Sequence, residues 1–304
     1  MKTVFVFIIL NFIFSESAIS QTTIKRENVI YGMTSGAALL MDVYQPSNTN
    51  HLGIIVIPGS AFGYSYPESY NQEPLKSDYY LDTAFLGKWA NMLVDKGYTV
   101  FVINHRFAPL FHYADIIADC QRAVRFVRFN AKEYGVDPDH LGALGHSSGA
   151  NLAALLGVTD TGIGHAGNTI DSSSSKVQAV VALATPFDLS DYNKPGDTSM
   201  ANSFALTMLV SYMGELPPVE NGEFALSGNY ATASPIAYVT SDDAPFLIYY
   251  SDNDPVIPPR QGPAMYQKLV ENKVPAKIFV KHNEGHGPIP DMGEVDRWFK
   301  KYLK

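Results

Sequence analysis

The sequence predicts an α/β fold, a mostly parallel sheet covered by helices on both faces. Three observations carry this. Apolar runs at 52–57, 98–104, 177–184 and 245–250 lack the polar alternation of a half-exposed strand, as strands buried on both sides do. Helical patterns separate those runs, and parallel strands need such crossovers. With 46% hydrophobic and 17% charged residues in 304, the chain has ample material for a large core.

Taken in order, residues 1–20 read as a secretory signal. Lys2 supplies a positive start, residues 4–14 form an apolar run broken only by Asn11, and Ala18-Ile19-Ser20 places small residues at a cut. The run is well short of the ~20 residues of a membrane span, so no span is expected once the signal is removed. Residues 21–304 then read as one domain, secreted or periplasmic. Short strands at 28–31 and 38–44 turn at Gly36, and the buried strand at 52–57 ends at Pro58-Gly59. A helix at 81–96 stops at Gly97, and a second buried strand fills 98–104. From 115 to 134, Ile117, Cys120, Val124 and Val127 recur on one helical face, so Cys120 reads as a packing residue. A strand at 141–144, a helix at 148–158, strands at 177–184, 245–250 and 276–281, a helix near 262–272 and a terminal helix complete the alternation. Two stretches interrupt it: a tyrosine-rich loop at 63–80, and 191–238, with a helical patch at 200–216. Both read as coverings over the carboxyl ends of the strands, where open parallel sheets bind ligands.

Composition removes several function classes. A net charge of −8 without blocks of like charge gives no footprint for nucleic acid. A single cysteine excludes a disulfide framework and multi-thiolate metal sites, and no metal or organic cofactor is implied.

Gly145-His146-Ser147-Ser148-Gly149 matches G-x-S-x-G where a strand must reverse sharply into a helix. That turn presents the Ser147 hydroxyl at the sheet edge, and its tightness calls for glycine two places to either side. A serine hydroxyl needs a base to take its proton and a carboxylate to orient that base. The expected chain order is serine, acid, histidine. Asp254, in the turn after the 245–250 strand, is the candidate acid, with Asp252 and Asp188 as rivals. His286 lies between two glycines on a loop after the last strand and is the candidate base, whereas His282 at the strand end reads as structural. The remaining histidines precede the acid. For the oxyanion, the Ser148 N–H is one donor, and Ser60 or Ala61, in the loop after the 52–57 strand, supplies the other. Phe62, Tyr64 and His146 are candidate substrate contacts.

These motifs resemble the α/β-hydrolase fold. The closer likeness is to secreted bacterial esterases grouped with feruloyl and acetylxylan esterases. His105-Arg106-Phe107-Ala108-Pro109 and Ser234-Pro235-Ile236-Ala237-Tyr238-Val239 also look like that group, and the similarity spans residues 29–304. The family usually carries His-Gly-Gly-Gly-Trp at the oxyanion loop, with a Pro-Gly-Gly-Gly-Tyr variant. Here the loop reads Pro58-Gly59-Ser60-Ala61-Phe62, which leaves Ser60 and Ala61 both as candidates. The resemblance implies a serine carboxylester hydrolase on a small-molecule or polysaccharide ester. An arylformamidase-like amide hydrolase and a lipase-like esterase would use the same residues.

Overall fold

The structure, a computed structural model, describes residues 23–34, 36–63, 85–160, 170–192, 203–217, 219–220, 223–224 and 228–304. The expected signal at 1–20, the tyrosine loop from Tyr64 onward and parts of the 191–238 insertion lie outside the described residues.

Eight strands form one sheet: β1 (Thr23–Thr34), β2 (Ala37–Pro46), β3 (Gly53–Ile57), β4 (Thr99–Ile103), β5 (Leu141–His146), β6 (Ala179–Leu183), β7 (Phe246–Ser251) and β8 (Ala276–Lys281). Their order across the sheet is β1-β2-β4-β3-β5-β6-β7-β8. The pairs β1–β2 and β2–β4 are antiparallel and every other pair is parallel, so the expected fold class holds. The continuous apolar runs have a simple cause. In β3 and β4, Ile55, Ile57, Phe101 and Ile103 face one core cluster, while Ile54, Val56, Val100 and Val102 face the other. The first cluster is closed by α2 (Tyr113–Phe129), α3 (Ser148–Val158) and α5 (Gln261–Glu271). The second is closed by α1 (Phe85–Val94) and α6 (Met292–Tyr302), through Trp89, Leu93, Trp298 and Phe299.

Two expectations change. The helix expected over 115–134 breaks at Asn130, whose side-chain amide donates to the Phe126 carbonyl at 2.8 Å, and only a single turn (Ala131–Tyr134) follows. The same carbonyl still accepts the Asn130 backbone N–H at 3.0 Å, and the helix ends because Asn130 itself turns to φ −100° and ψ 17°. β1 is also longer than its apolar content indicates, because it is an edge strand whose residues are mostly exposed or half-buried.

Register decides where the site can be. Ile57, Gly145, Ala182, Ile248 and Ile278 sit on one rung across β3, β5, β6, β7 and β8. The loops leaving these five strands therefore emerge at one level along the sheet's carboxyl edge. Beside them lies α4 (Ser203–Met213), within the insertion. The insertion's ends are fastened to the body. Leu189 N–H donates to Ser234 Oγ at 2.8 Å, Ile236 N–H donates to the Phe187 carbonyl at 3.1 Å, and the Gln261 side chain pairs with both backbone groups of Asp188.

Candidate active site

Ser147 occupies the turn between β5 and α3 with φ 53° and ψ −125°, a conformation that side-chain-bearing residues rarely adopt. Holding it costs on the order of 1–3 kcal/mol. The flanking glycines make the turn possible. A Cβ on Gly145 would lie 2.3 Å from the Gly149 carbonyl oxygen, and one on Gly149 would lie 2.1 Å from that of Ile57. The turn is pinned by Ser147 N–H donating to the Leu183 carbonyl at 2.8 Å.

Three side chains converge there. His286 Nε2 lies 2.9 Å from Ser147 Oγ, and His286 Nδ1 lies 2.8 and 3.0 Å from the two carboxylate oxygens of Asp254. Asp254 is buried, and its Oδ1 also accepts from the Val256 and Ile257 N–H groups at 2.8 and 2.9 Å. A carboxylate so anchored fixes the imidazole with Nδ1 protonated and Nε2 free to accept the serine proton. The rivals go elsewhere. Asp252 bonds His282 Nδ1 at 2.6 Å and accepts from Asn283 N–H at 3.0 Å on the exposed side of the loop. The Asn283 bond, and then His282, hold the Asp252 carboxyl below the usual carboxylate range. Asp188 Oδ1 accepts from the Ser190 N–H and hydroxyl.

Sequence reasoning overlooks Asn253, whose Oδ1 accepts from Gly285 N–H at 2.9 Å and from the Ser251 hydroxyl at 2.8 Å. Thus 252, 253 and 254 stitch the acid turn to 282–283, 285 and 286 in sequence order. A polar residue between two candidate acids was the available signal. Asn151 is also buried in α3, donating to the Pro186 and Ala233 carbonyls at 2.8 and 3.1 Å.

The candidate oxyanion loop requires two corrections. Ser60 N–H donates to Ser148 Oγ at 2.9 Å, so it is not directed at an oxyanion. Among the described residues none accepts from the Ala61 N–H, so Ala61 stays, with Ser148, a candidate backbone donor. Phe62 is not a substrate contact: it is fully buried, and its ring stacks on Tyr212 of α4 at 3.5 Å between centroids and 6° between planes. Both Ala61 (φ 51°) and Phe62 (φ 57°) are left-handed. His146 Nε2 donates to the His286 carbonyl at 2.8 Å, which ties the base's loop to the elbow. Burial first, and the neighbouring His286 second, push the His146 pKa down to about 4, so it is a neutral donor. Tyr64 lies outside the described residues.

Chemically, the arrangement can generate a serine nucleophile and stabilise an oxyanion at the start of α3, where the helix dipole adds to the N–H donors. Among the described residues, no group of three or more His, Cys, Asp or Glu could hold a metal ion. Nor is any described helix long and apolar enough to cross a membrane.

Comparison with known proteins places these features in context. The BD-FAE family model matches residues 41–269, which contain Ser147 and Asp254. Esterase LipQ of Mycobacterium tuberculosis is 30% identical over 179 residues, covering 58% of this chain and 39% of LipQ. The chain spans about two fifths of the length of the curated relatives it matches. Among solved structures, a truncated form of a carbohydrate esterase from gut microbiota superposes with a TM-score of 0.72 at 25% identity, covering 92% of this chain and 96% of that one. An acetyl ester-xyloside bifunctional hydrolase from Caldicellulosiruptor lactoaceticus shares the fold, with a TM-score of 0.67 at 19% identity over 91% of this chain and 93% of that one.

Proposed function

The chain belongs to the BD-FAE family, and on that premise we propose that it is a serine carboxylic ester hydrolase working through an acyl-enzyme. The observation that carries the reading is the Asp254–His286–Ser147 relay, with contacts of 2.8 and 2.9 Å in the chain order serine, acid, histidine. As His286 Nε2 takes the hydroxyl proton, Ser147 Oγ attacks the ester carbonyl carbon. Asp254 stabilises the imidazolium that forms, and the Ala61 and Ser148 N–H groups receive the oxyanion. Each such donor is typically worth about 3 kcal/mol in the transition state. Collapse breaks the ester C–O bond and His286 gives its proton to the departing alcohol. Water, activated by the same imidazole, then releases the acid and restores Ser147.

Small acyl esters are the proposed substrates, and acetyl or feruloyl esters of plant-type polysaccharides are the favoured class. The likeness to a gut-microbiota carbohydrate esterase over nearly both whole chains supports that class. Export through a cleaved segment at 1–20, to the periplasm or the medium, belongs to the same proposal and is supported by the apolar run at 4–14.

The test is a parallel set of initial rates on nitrophenyl acyl esters of graded chain length, acetylated xylan, methyl ferulate and an aryl formamide. The expected result is fast turnover of the shortest acyl chains and release of acetate from xylan. A formamide cleaved faster than every ester would replace this reading with an amide hydrolase, and a preference for long acyl chains would move it to a lipase-like enzyme.

A further inference from the structure

Ala61 and Phe62 are consecutive residues with side chains in the left-handed backbone region, immediately before Gly63 at φ 89°. Such a stretch does not hold itself in place, because the unstrained chain would relax each residue toward negative φ and rotate the amide planes on either side of it. The Ala61 N–H belongs to one of those planes. Its direction therefore depends on what clamps the loop from outside.

The clamps come from four places. Upstream, Ser60 N–H donates to Ser148 Oγ at 2.9 Å. Within the turn, Gly63 N–H meets the Ser60 carbonyl and hydroxyl at 2.9 and 3.0 Å. Downstream, Ala108 N–H donates to the Phe62 carbonyl at 3.0 Å. The fourth is the Phe62 ring, fully buried against Tyr212, with Tyr113 edge-on to Tyr212 at 5.7 Å. The first three lie in the body of the fold, whereas the stack belongs to α4, in the insertion that covers the sheet's edge.

We infer that Tyr212 is a positioning residue for the oxyanion loop, so that α4 of the covering insertion, through the Phe62 ring, sets the aim of the Ala61 amide. The inference rests on the esterase reading. The tyrosine acts by its ring. Its hydroxyl is buried with no hydrogen-bond partner among the described residues, so the described part of the loop meets only the ring. A covering segment that merely bounded the substrate would act through KM. One that aims a donor for the developing negative charge acts through kcat, because that charge exists only in the transition state.

The experiment compares Tyr212→Phe, Tyr212→Leu and Tyr212→Ala with the wild type on a short nitrophenyl ester, with circular dichroism and thermal melts to establish folding. Tyr212→Phe keeps the stack and is expected to keep kcat within about twofold. Tyr212→Leu fills the space without a stacking face and is expected to lower kcat by roughly ten- to a hundredfold with KM nearly unchanged, the size of a misaimed catalytic group. Inhibition by a trifluoromethyl ketone, which forms the oxyanion, is expected to weaken in parallel, while inhibition by the product carboxylate stays constant. Where Tyr212→Ala fails to fold, the Leu variant carries the test. A folded Leu variant with undiminished kcat overturns the inference, as does a Phe variant that loses as much as Leu. Those results appear against an active wild type, whereas a wild type inactive on every ester overturns the underlying reading instead.

Discussion

Asp252 and Asp254 are two residues apart, and both bond a histidine Nδ1, yet their surroundings assign them different work. Asp254 is buried, bonded through both oxygens to His286 and held by two backbone N–H groups. Asp252 and His282 meet with side chains 42% and 72% exposed, where water screens the pair and its contribution is small. Asp254→Asn is expected to lower kcat about ten-thousandfold with little change in KM, because an amide no longer enforces the tautomer the base requires. Asp252→Asn should leave kcat within about threefold. Steady-state kinetics on one nitrophenyl ester decide between them, and a larger loss at 252 would reverse the assignment. Sequence order and turn chemistry pointed to Asp254 while leaving its neighbour open. What separates the two is burial and direction, which depend on how the 252–254 turn meets the 282–286 loop.

At the scale of elements, legibility follows the kind of force that holds each one. β3, β4 and α3 lie within a residue or two of where hydropathy puts them, because burial on the sheet faces is written directly into composition. The elbow was legible for a different reason. Only glycine fits where Gly149 passes beneath the Ile57 carbonyl, so close backbone approach leaves its own mark in the sequence. β1 was underestimated because an edge strand is held by ladder hydrogen bonds, and the exposed Ile24, Ile30 and Met33 share it with charged neighbours. The break at Asn130 depends on the backbone turning at one residue and leaves the apolar period of α2 intact. Least legible was the contact of α4 with the loop after β3. Phe62 was a candidate substrate contact, and nothing local to it announces a stacking partner in a distant insertion.

Across the whole molecule, the same packing that builds the site makes stability depend on pH. His146 and His105 are both held neutral, chiefly by burial, with pKa values below the usual histidine value of 6.5 and that of His146 near 4. Between pH 6.5 and 4 the unfolded chain binds a proton at position 146 that the folded chain refuses. Stability therefore falls as pH drops through that window, and for this residue the fall levels off below about 4. Its full size is on the order of 3 kcal/mol, and His105 acts in the same direction. Denaturant titrations at stepped pH are expected to show a shallower decline in His146→Asn than in the wild type, and parallel curves would refute the neutral imidazole. Carboxylates such as Asp252 and Asp291, whose pKa values are lowered by hydrogen bonds, contribute stability that is lost only at lower pH, outside this window.

All of these scales meet at the hydroxyl of Ser147, and trapping the covalent intermediate interrogates it directly. Mass analysis of the protein after rapid acid quench from nitrophenyl acetate should find one acetyl group on the peptide that contains Ser147. Ser147→Ala should lack the adduct and turn over slower by on the order of a millionfold. Ester hydrolysis that proceeds with no acyl group on Ser147, or at a near-normal rate in the alanine variant, would contradict the account.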